Sequence, residues 1–425
     1  MNDRKPPRIS GPLEITELGA QGDGIAEVAG ERVYVPFALP GEKVEVEITE
    51  RRGEGWSAQL IDTVTVSPLR IAAPCPHFGV CGGCMLQHLD RAAYRDWKRG
   101  LVVKAMQQRG IEIPADTRFV ETPPNTRRRA SFAAKRAGGA LLFGFHAPES
   151  QEIVPIATCH VLTPSLTAQL PLLRSLADLA LGTGQTATVT ATETETGLDV
   201  LIESPQPLER RRALTDAASK APIARLSWQQ GRGEPEPLAQ HAVPKVNFAG
   251  ISVDLPAGAF LQPSGAGEAA LAEAVTGFAA GAKSIADLYA GCGTFTFPLA
   301  KVGKVAAFET SKPAVAAVMA ATNHSGLSGR VTAQSRNLDS SPVSPEELRP
   351  FDCVVFDPPR AGAKSQSEIL VRARLKRAVA VSCNPASFAR DARILIDGGF
   401  RLKDMVIVDQ FVWSAHVEIV AAFRR

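Results

Sequence analysis

The chain has almost no net charge, few cysteines and no long apolar run, and each shortage excludes something. Its formal net charge is only +3 over 425 residues, so the molecule as a whole is no polycation, and any grip on nucleic acid must come from local patches. Seven cysteines are too sparse for a disulfide scaffold. No stretch of about 18 uncharged apolar residues offers a membrane-spanning helix. The opening MNDRKPPRIS is polar and lacks the apolar core of a secretory signal. Hydrophobic residues at 45% and charged residues at 21% exclude disorder, collagen and coiled coil. The expectation is a cytoplasmic protein of two or three domains whose cysteines are reduced, metal-bound or catalytic.

Between Ile9 and about Pro68, the segments EITELG, ERVYVPFAL, EKVEVEITER and WSAQLIDTV alternate or run apolar, with glycine turns between them. Four or five short strands in this space predict a small β-barrel, the alternative being an edge sheet of a larger domain. Pro74 to Gln87 is a cysteine-rich loop, and Asp90 to Arg109 has helical spacing. Strands return from Arg127 to Val161, Thr163 to Leu181 reads as helix, and ATVTATETETGLDVLIES reads as a hairpin around Glu195-Thr196-Gly197. From Ser264 onward strands and helices alternate, which predicts a doubly wound parallel sheet. Domain limits fall at 1–66, 67–260 and 261–425, with 90–120 free to pack on the last of these.

DLYAGCGTF, Asp287 to Phe295, ends a strand and opens a helix. Gly291 and Gly293 let the backbone turn tightly and approach a ligand. Glu309 then closes the next strand, where a carboxylate can accept both hydroxyls of a ribose. The third glycine of a dinucleotide fingerprint is missing; the plain alternative is a structural turn beside a surface Glu. Asp357-Pro358-Pro359-Arg360 follows the strand FDCVVF, so Asp357 faces the ligand crevice while two prolines hold the exit extended. Together these motifs fit S-adenosylmethionine better than a dinucleotide.

Cys383, in VSCNP, follows the next strand and faces the same crevice, where a thiolate can attack carbon. The competing reading is a buried inert thiol, which is the expectation for Cys292 and Cys353. HVEIV sets His416 and Glu418 two apart on one strand face. Alone, such a Glu is a solvated edge residue; opposite a thiol, Glu418 is a candidate general base.

With these motifs in place the chain resembles, over nearly its whole length, the bacterial RNA 5-methyluridine (uracil-carbon-5) methyltransferases. VPFALPGEKVEV resembles the TRAM domain of that family and CPHFGVCGGCMLQH its iron–sulfur segment. FLQPS, DLYAGCGTF, FET, SRN, DPPRAG, SCNP and HVE follow in the family's order. The resemblance implies a Rossmann-like class I methyltransferase domain, a TRAM/OB-like barrel and a central α+β domain carrying a metal cluster. It implies that Gln262, Tyr289, Thr294, Glu309, Asn337 and Asp357 line the S-adenosylmethionine site, that Cys383 is the nucleophile and that Glu418 is the base. Three departures from the pattern concern how cofactor or target base is held: Ser264 and Thr294 replace asparagines, and Phe411-Val412-Trp413-Ser414 replaces Phe-Pro-x-Thr.

Cys75, Cys81, Cys84 and Cys159 contain only one Cys-x2-Cys pair, whereas structural zinc sites usually show two. This favours a four-iron four-sulfur cluster, as the resemblance also implies, over unliganded thiols. His77, His88 and His160 flank the cysteines and read as loop or surface residues. Arg91 to Arg136 holds 12 Lys or Arg against 4 Asp or Glu. Alternation would put Arg127 and Arg129 on one face, a stripe suited to phosphates. The barrel is a candidate second RNA contact, and Tyr94, Trp97 and Phe132 are either base-stacking or core residues.

The resulting expectation is methylation of carbon 5 of a uridine in RNA through a covalent Cys–uracil adduct, by a monomer. 23S ribosomal RNA is favoured, since family members with both TRAM domain and cluster usually act on it; transfer RNA is the alternative. Two other classes compete. An adenine-N6 amino-methyltransferase shares Asp-Pro-Pro but needs an aromatic residue where Arg360 stands. A non-catalytic iron–sulfur RNA-binding protein has no need for the intact crevice.

Overall fold

The N-terminal strands close into a barrel because one short segment pairs at both of its ends. In the computed structural model, which describes residues 7–205 and 208–425, Leu13–Glu14 pairs with the start of Lys43–Arg52 and Glu17–Leu18 pairs with Gly24–Val28. Between them run Glu31–Val35 and Gly55–Thr65, giving six strands in one sheet. Since residues 13–18 are continuous chain, the two edges of the sheet are joined through it at Lys43–Val44 and at Gly24–Ile25. Alternation along EKVEVEITER behaves as expected: Val44 is buried, Val46 and Ile48 are half-buried, and Glu45 and Glu47 face water. Ile15, Val33, Val35, Val44 and Ala58 fill the interior. At Gly24 a Cβ would lie 2.7 Å from the Ala38 carbonyl oxygen, so only glycine fits.

Contacts divide the chain into two compact units, and the division does not follow chain order. The first comprises Met1–Val102, His146–Glu152 and Phe411–Ala415; the second comprises Val103–Phe145, Ile153–Gln410 and His416–Arg425. In the first, Glu42 accepts from Arg70 Nε at 2.6 Å and from the Leu39 amide at 2.8 Å. Burial alone would raise its pKa, but these hydrogen bonds outweigh it and hold the carboxyl below its ordinary value.

His88 lies in a loop, one of the two places expected for it, but not at the surface. It is buried, its Nε2 lies 2.9 Å from the Phe37 carbonyl, and burial together with the Arg70 charge pushes its pKa down to about 4. Tyr94 and Trp97 pack in the same cluster as Leu39, Leu86 and Trp413, so they are core and not stacking platforms. The departing segment is fixed here too: Tyr94 Oη accepts from the Trp413 amide at 2.8 Å, and the nearly inaccessible Lys98 donates to the Phe411 carbonyl at 3.2 Å.

In the second unit a seven-stranded sheet runs in the order Ile153–Pro155, Ala140–His146, Arg129–Ala137, Thr186–Thr194, Gly197–Glu203, Arg225–Gln229, Glu236–Gln240. The expected hairpin is present, with Thr194 opposite Gly197. Helices Leu170–Ala180 and Leu208–Ala218 contribute to its apolar core, where Phe132 stacks on Phe143 and Phe145.

Three arginines of the basic run, Arg128, Arg129 and Arg136, are engaged within the fold. Arg128 pairs with Glu268 at 2.6 Å and donates to the Gln262 carbonyl. Burial disfavours the charge of Arg129, with Glu203 and Asp199 nearby in compensation. Arg136 pairs with Asp178 at 2.5 Å. Of Arg127 and Arg129, only Arg129 lies on the strand Arg129–Ala137, so strand alternation does not align the two.

The second sheet of this unit has eight strands, in the order Val331–Ser335, Lys304–Glu309, Ser284–Leu288, Cys353–Phe356, Arg377–Ser382, Glu418–Arg424, Arg401–Asp409, Arg118–Glu121. The first five are parallel, as expected. Glu418–Arg424 runs antiparallel to both neighbours, and Arg118–Glu121 is added at the edge from far upstream. The sheet is therefore mixed and not purely parallel. Among the described residues no helix is long and apolar enough to cross a membrane.

Candidate active site

Parallel strands deliver their carboxyl ends to one edge of the sheet. Tyr289 follows Ser284–Leu288, Glu309 closes Lys304–Glu309, Asp357 follows Cys353–Phe356 and Cys383 follows Arg377–Ser382. Because the closing strand is antiparallel, its first residue, Glu418, comes to that same edge. Ser382 faces Ile419, so Cys383, one step beyond, is brought opposite Glu418, one step before. Val408 faces Glu418, which carries Gln410 to the same place. A parallel closing strand would have left Glu418 roughly 20 Å away, at about 3.3 Å per residue.

The turn after Ser284–Leu288 is left-handed at Tyr289 (φ 63°), Gly291 (φ 56°) and Gly293 (φ 99°). A Cβ on Gly293 would lie 2.6 Å from the Phe297 ring, whereas one on Gly291 would meet no described atom within 4 Å. Gly291 thus presents bare backbone to the crevice. Tyr289, with a bulky side chain in this region, carries backbone strain of the kind that collects at functional sites. Glu309 is clamped across the turn: one carboxylate oxygen accepts from the Gly291 amide at 3.0 Å and the other from the Ser311 amide at 2.8 Å. Each oxygen keeps a lone pair for a ribose hydroxyl.

Beneath the turn, fully buried Asp287 accepts from Thr296 Oγ1 at 2.6 Å, while its second oxygen has no partner among the described residues. Burial, with the charges of Asp357 and Glu309 adding, pushes its pKa up to about 7 against the Thr296 hydrogen bond. Burial pushes Asp357 to about 7 as well. An orphaned acidic oxygen, a bare glycine turn and a clamped carboxylate together suit a nucleoside ligand that carries positive charge.

Cys383 is half-buried. Burial first, then the carboxylates of Glu418 and Asp357, push its thiol up to about 11, and Arg360 works in the other direction. Raising pH therefore generates thiolate, and the rate of iodoacetamide alkylation of the ligand-free protein is expected to keep climbing to about pH 11. A plateau near 8.5, the ordinary cysteine value, would show that the thiol does not feel this environment. Asn384 caps the helix Pro385–Asp397 and donates to the Arg360 carbonyl at 3.1 Å, tying the Cys383 turn to the Asp-Pro-Pro-Arg loop.

Glu418 is almost completely buried, and burial raises its pKa well above the ordinary carboxylate value, with Asp357 adding and Gln410 opposing. Gln410 Nε2 donates to Glu418 at 3.1 Å and to Gln262 Oε1 at 2.7 Å. The structure therefore links Gln262 to Glu418 and brings Cys383 opposite Glu418. Arg360, whose guanidinium lies 3.0 Å from the His416 ring, stands beside them. Thr294 sits half-buried in the glycine turn. Asn337 lies just past Val331–Ser335, and its side-chain oxygen accepts from the Asp339 and Ser340 amides of its own turn.

Ser264 fills the family's asparagine position as a helix cap: its hydroxyl accepts from the Gly267 amide at 3.3 Å and meets Thr126 Oγ1 at 3.2 Å. Sequence reasoning missed Gln410, Arg360 and Asp287 as site residues. Asp287 and Arg360 lie inside motifs already singled out, but Gln410 gave no local signal.

The cysteine loop gives a different outcome. Cys75, Cys81 and Cys84 lie in the first unit and Cys159 in the second. Among the described residues no three His, Cys, Asp or Glu side chains group so as to hold a metal ion, so the expected cluster-bearing central domain is not supported. At Gly82 a Cβ would lie 2.8 Å from the His146 carbonyl oxygen, so glycine is required where the loop passes that backbone. Cys292 and Cys353 are buried, and burial pushes both thiols to about 12.

Residues 12–55 match the TRAM domain model and residues 345–425 the tRNA (uracil-5-)-methyltransferase model. An uncharacterised RNA methyltransferase of Mesorhizobium japonicum is 41% identical over 97% of this chain and 98% of its own. The 23S rRNA (uracil(1939)-C(5))-methyltransferase RlmD of Pectobacterium atrosepticum is 31% identical over 97% of this chain and 93% of its own. The Pyrococcus abyssi tRNA (uracil-54, C5)-methyltransferase, solved in complex with S-adenosyl-L-homocysteine, shares the fold with a TM-score of 0.76, at 24% identity over 97% of this chain and 100% of its own.

Proposed function

The chain belongs to the RNA uracil-C5 methyltransferase family, and from that premise we propose that it transfers a methyl group from S-adenosylmethionine to carbon 5 of a uridine in 23S ribosomal RNA through a covalent adduct with Cys383. The observation that carries this reading is the antiparallel register that sets Cys383 opposite Glu418 at the edge holding Glu309 and the glycine turn.

S-adenosylmethionine supplies an electrophilic methyl group. Gln262, Tyr289, Thr294, Glu309 and Asp357 hold it, with Glu309 on the ribose hydroxyls and the orphaned Asp287 oxygen favouring a cationic ligand; Asn337 contributes from the turn after Val331–Ser335. Carbon 5 of uracil is too weakly nucleophilic to take the methyl directly. The Cys383 thiolate adds to carbon 6 and pushes the electron pair into an enolate, whose carbon 5 takes the methyl group while the sulfonium sulfur keeps the bonding pair and departs as a neutral thioether. Glu418 then takes the proton from carbon 5, the enolate re-forms, and elimination across carbons 5 and 6 returns Cys383 as thiolate. Arg360 lowers the cost of negative charge on Cys383 and is placed to do the same for the enolate. A stacked uridine hides carbon 6 from a thiol, so the target enters flipped out of its helix or from a loop.

Ribosomal RNA is favoured because the 23S enzyme is a relative over almost the whole chain, while likeness to the transfer-RNA enzyme is one of fold. The purified protein, methyl-labelled S-adenosylmethionine and separate 23S ribosomal and transfer RNA substrates decide this. Labelled 5-methyluridine recovered from the ribosomal RNA is expected; recovery from transfer RNA alone, or label in methyladenosine, would contradict it.

The four-iron four-sulfur cluster remains a proposal that rests on the spacing of Cys75, Cys81, Cys84 and Cys159. The donor set is soft and suited to iron, but the described side chains form no metal-holding group, and no step of the reaction is routed through it. Anaerobically purified protein is expected to contain about four iron and four sulfide per chain, lost in Cys84→Ser. Metal-free protein with full activity would remove the cluster from the account.

A further inference from the structure

Gln410 lies directly after Arg401–Asp409 and is only 2% exposed. A carboxamide nitrogen carries two hydrogens, and here both are committed, one to Gln262 Oε1 at 2.7 Å and one to Glu418 Oε1 at 3.1 Å. Its own oxygen is buried without a partner among the described residues. An ionised Glu418 accepts only, so it fixes the amide nitrogen of Gln410 toward itself, and the Gln262 oxygen then takes the second hydrogen. A buried carbonyl left without a donor is costly, and packing alone would be served as well by an apolar side chain of the same length. The surroundings are cut to this amide. At Gly267, on the helix that Ser264 caps, a Cβ would lie 2.6 Å from Gln410 Cβ and 2.7 Å from its Oε1.

We infer that Gln410 is a positioning residue that locks Gln262, at the seat of the methyl donor, and Glu418, at the target base, into one fixed geometry. The inference rests on the reading of Glu418 as the base. It adds that the two halves of the site share one amide group. Its hydrogen bond favours the ionised form of Glu418 against burial, keeping a deeply buried carboxyl usable as a base. Its second hydrogen bond holds the Gln262 oxygen, which leaves the Gln262 NH2 to face the methyl donor.

The test is Gln410→Met, which keeps length and loses both hydrogen bonds. Rates are measured against pH and against S-adenosylmethionine concentration, with thermal unfolding as the check on folding. The expected result is a fall in kcat and a rise in KM for S-adenosylmethionine, each about tenfold or more, with the acid limb of kcat moved to higher pH. Unchanged KM and an unmoved acid limb would overturn the inference, as would a uniform loss at all pH values, which is what a purely structural role gives. If Gln410→Met does not fold, Gln410→Asn, which keeps the amide but cannot span both partners, is expected to move the same limb. Glu418→Gln in the same assay separates the two ideas. A dead Glu418→Gln beside a wild-type-like Gln410→Met sinks this inference alone, whereas an active Glu418→Gln sinks the base assignment with it.

Discussion

Replacing Cys383 with alanine is expected to abolish RNA methylation, with a loss of more than about 10³-fold. Without addition at carbon 6 there is no enolate, and without the enolate carbon 5 has nothing to offer the methyl group. The fold should survive the change: Cys383 is half-buried, and the Asn384 cap of the following helix does not use the sulfur. Binding of S-adenosylmethionine should persist, because Glu309 and the glycine turn are untouched. Cys292→Ala and Cys353→Ala are the controls. Both thiols sit in the core with pKa values near 12, so these changes should cost stability and leave adduct formation intact. Retention of methylation by Cys383→Ala, measured as methyl incorporation into RNA, would remove covalent catalysis from the account.

The second large effect falls on Glu418. Glu418→Gln keeps the shape and the acceptor for the Gln410 amide but cannot take a proton. Addition and methyl transfer can still occur, so the expected product is a stalled Cys383 adduct carrying the methylated ring. Release of tritium from carbon 5 of labelled RNA should fall by roughly 10²–10⁴-fold. In the wild-type protein, burial raises the Glu418 pKa well above 4.5. The base is active only when ionised, so the rate should decline as pH falls through that raised value and recover on the alkaline side. Normal tritium release by Glu418→Gln, or free enzyme in place of the adduct, would assign the proton to another group.

Glu309, Asp357 and Cys383 could be assigned to one crevice from sequence because each follows an apolar strand in a parallel series, where one rule places every strand end. The barrel was legible for a similar reason, since its turns and alternation are local. Glu418 and Gln410 are different. Their place depends on the last strand running backwards, and neighbouring residues do not announce that direction. The arginines show the same limit: Arg128 is neutralised by Glu268, 140 residues away, and a local count of charges cannot see it. That the loop residue His88 is buried was not legible, because its cover includes Phe37, brought from 51 residues upstream. The TRAM-matched stretch 12–55 holds 10 Asp or Glu against 4 Lys or Arg, so attraction of its bulk charge to phosphate is not what would join it to RNA.

The most direct measurement uses RNA in which the target uridine is replaced by 5-fluorouridine. A fluorine at carbon 5 cannot leave as a proton does, so the reaction should stop with the ring still bonded to sulfur. After incubation with S-adenosylmethionine and nuclease digestion, the intact mass should rise by one methylated fluorouridine nucleotide, and peptide mapping should place it on Cys383. An unmodified mass, or an adduct that persists in Cys383→Ala, would contradict the account.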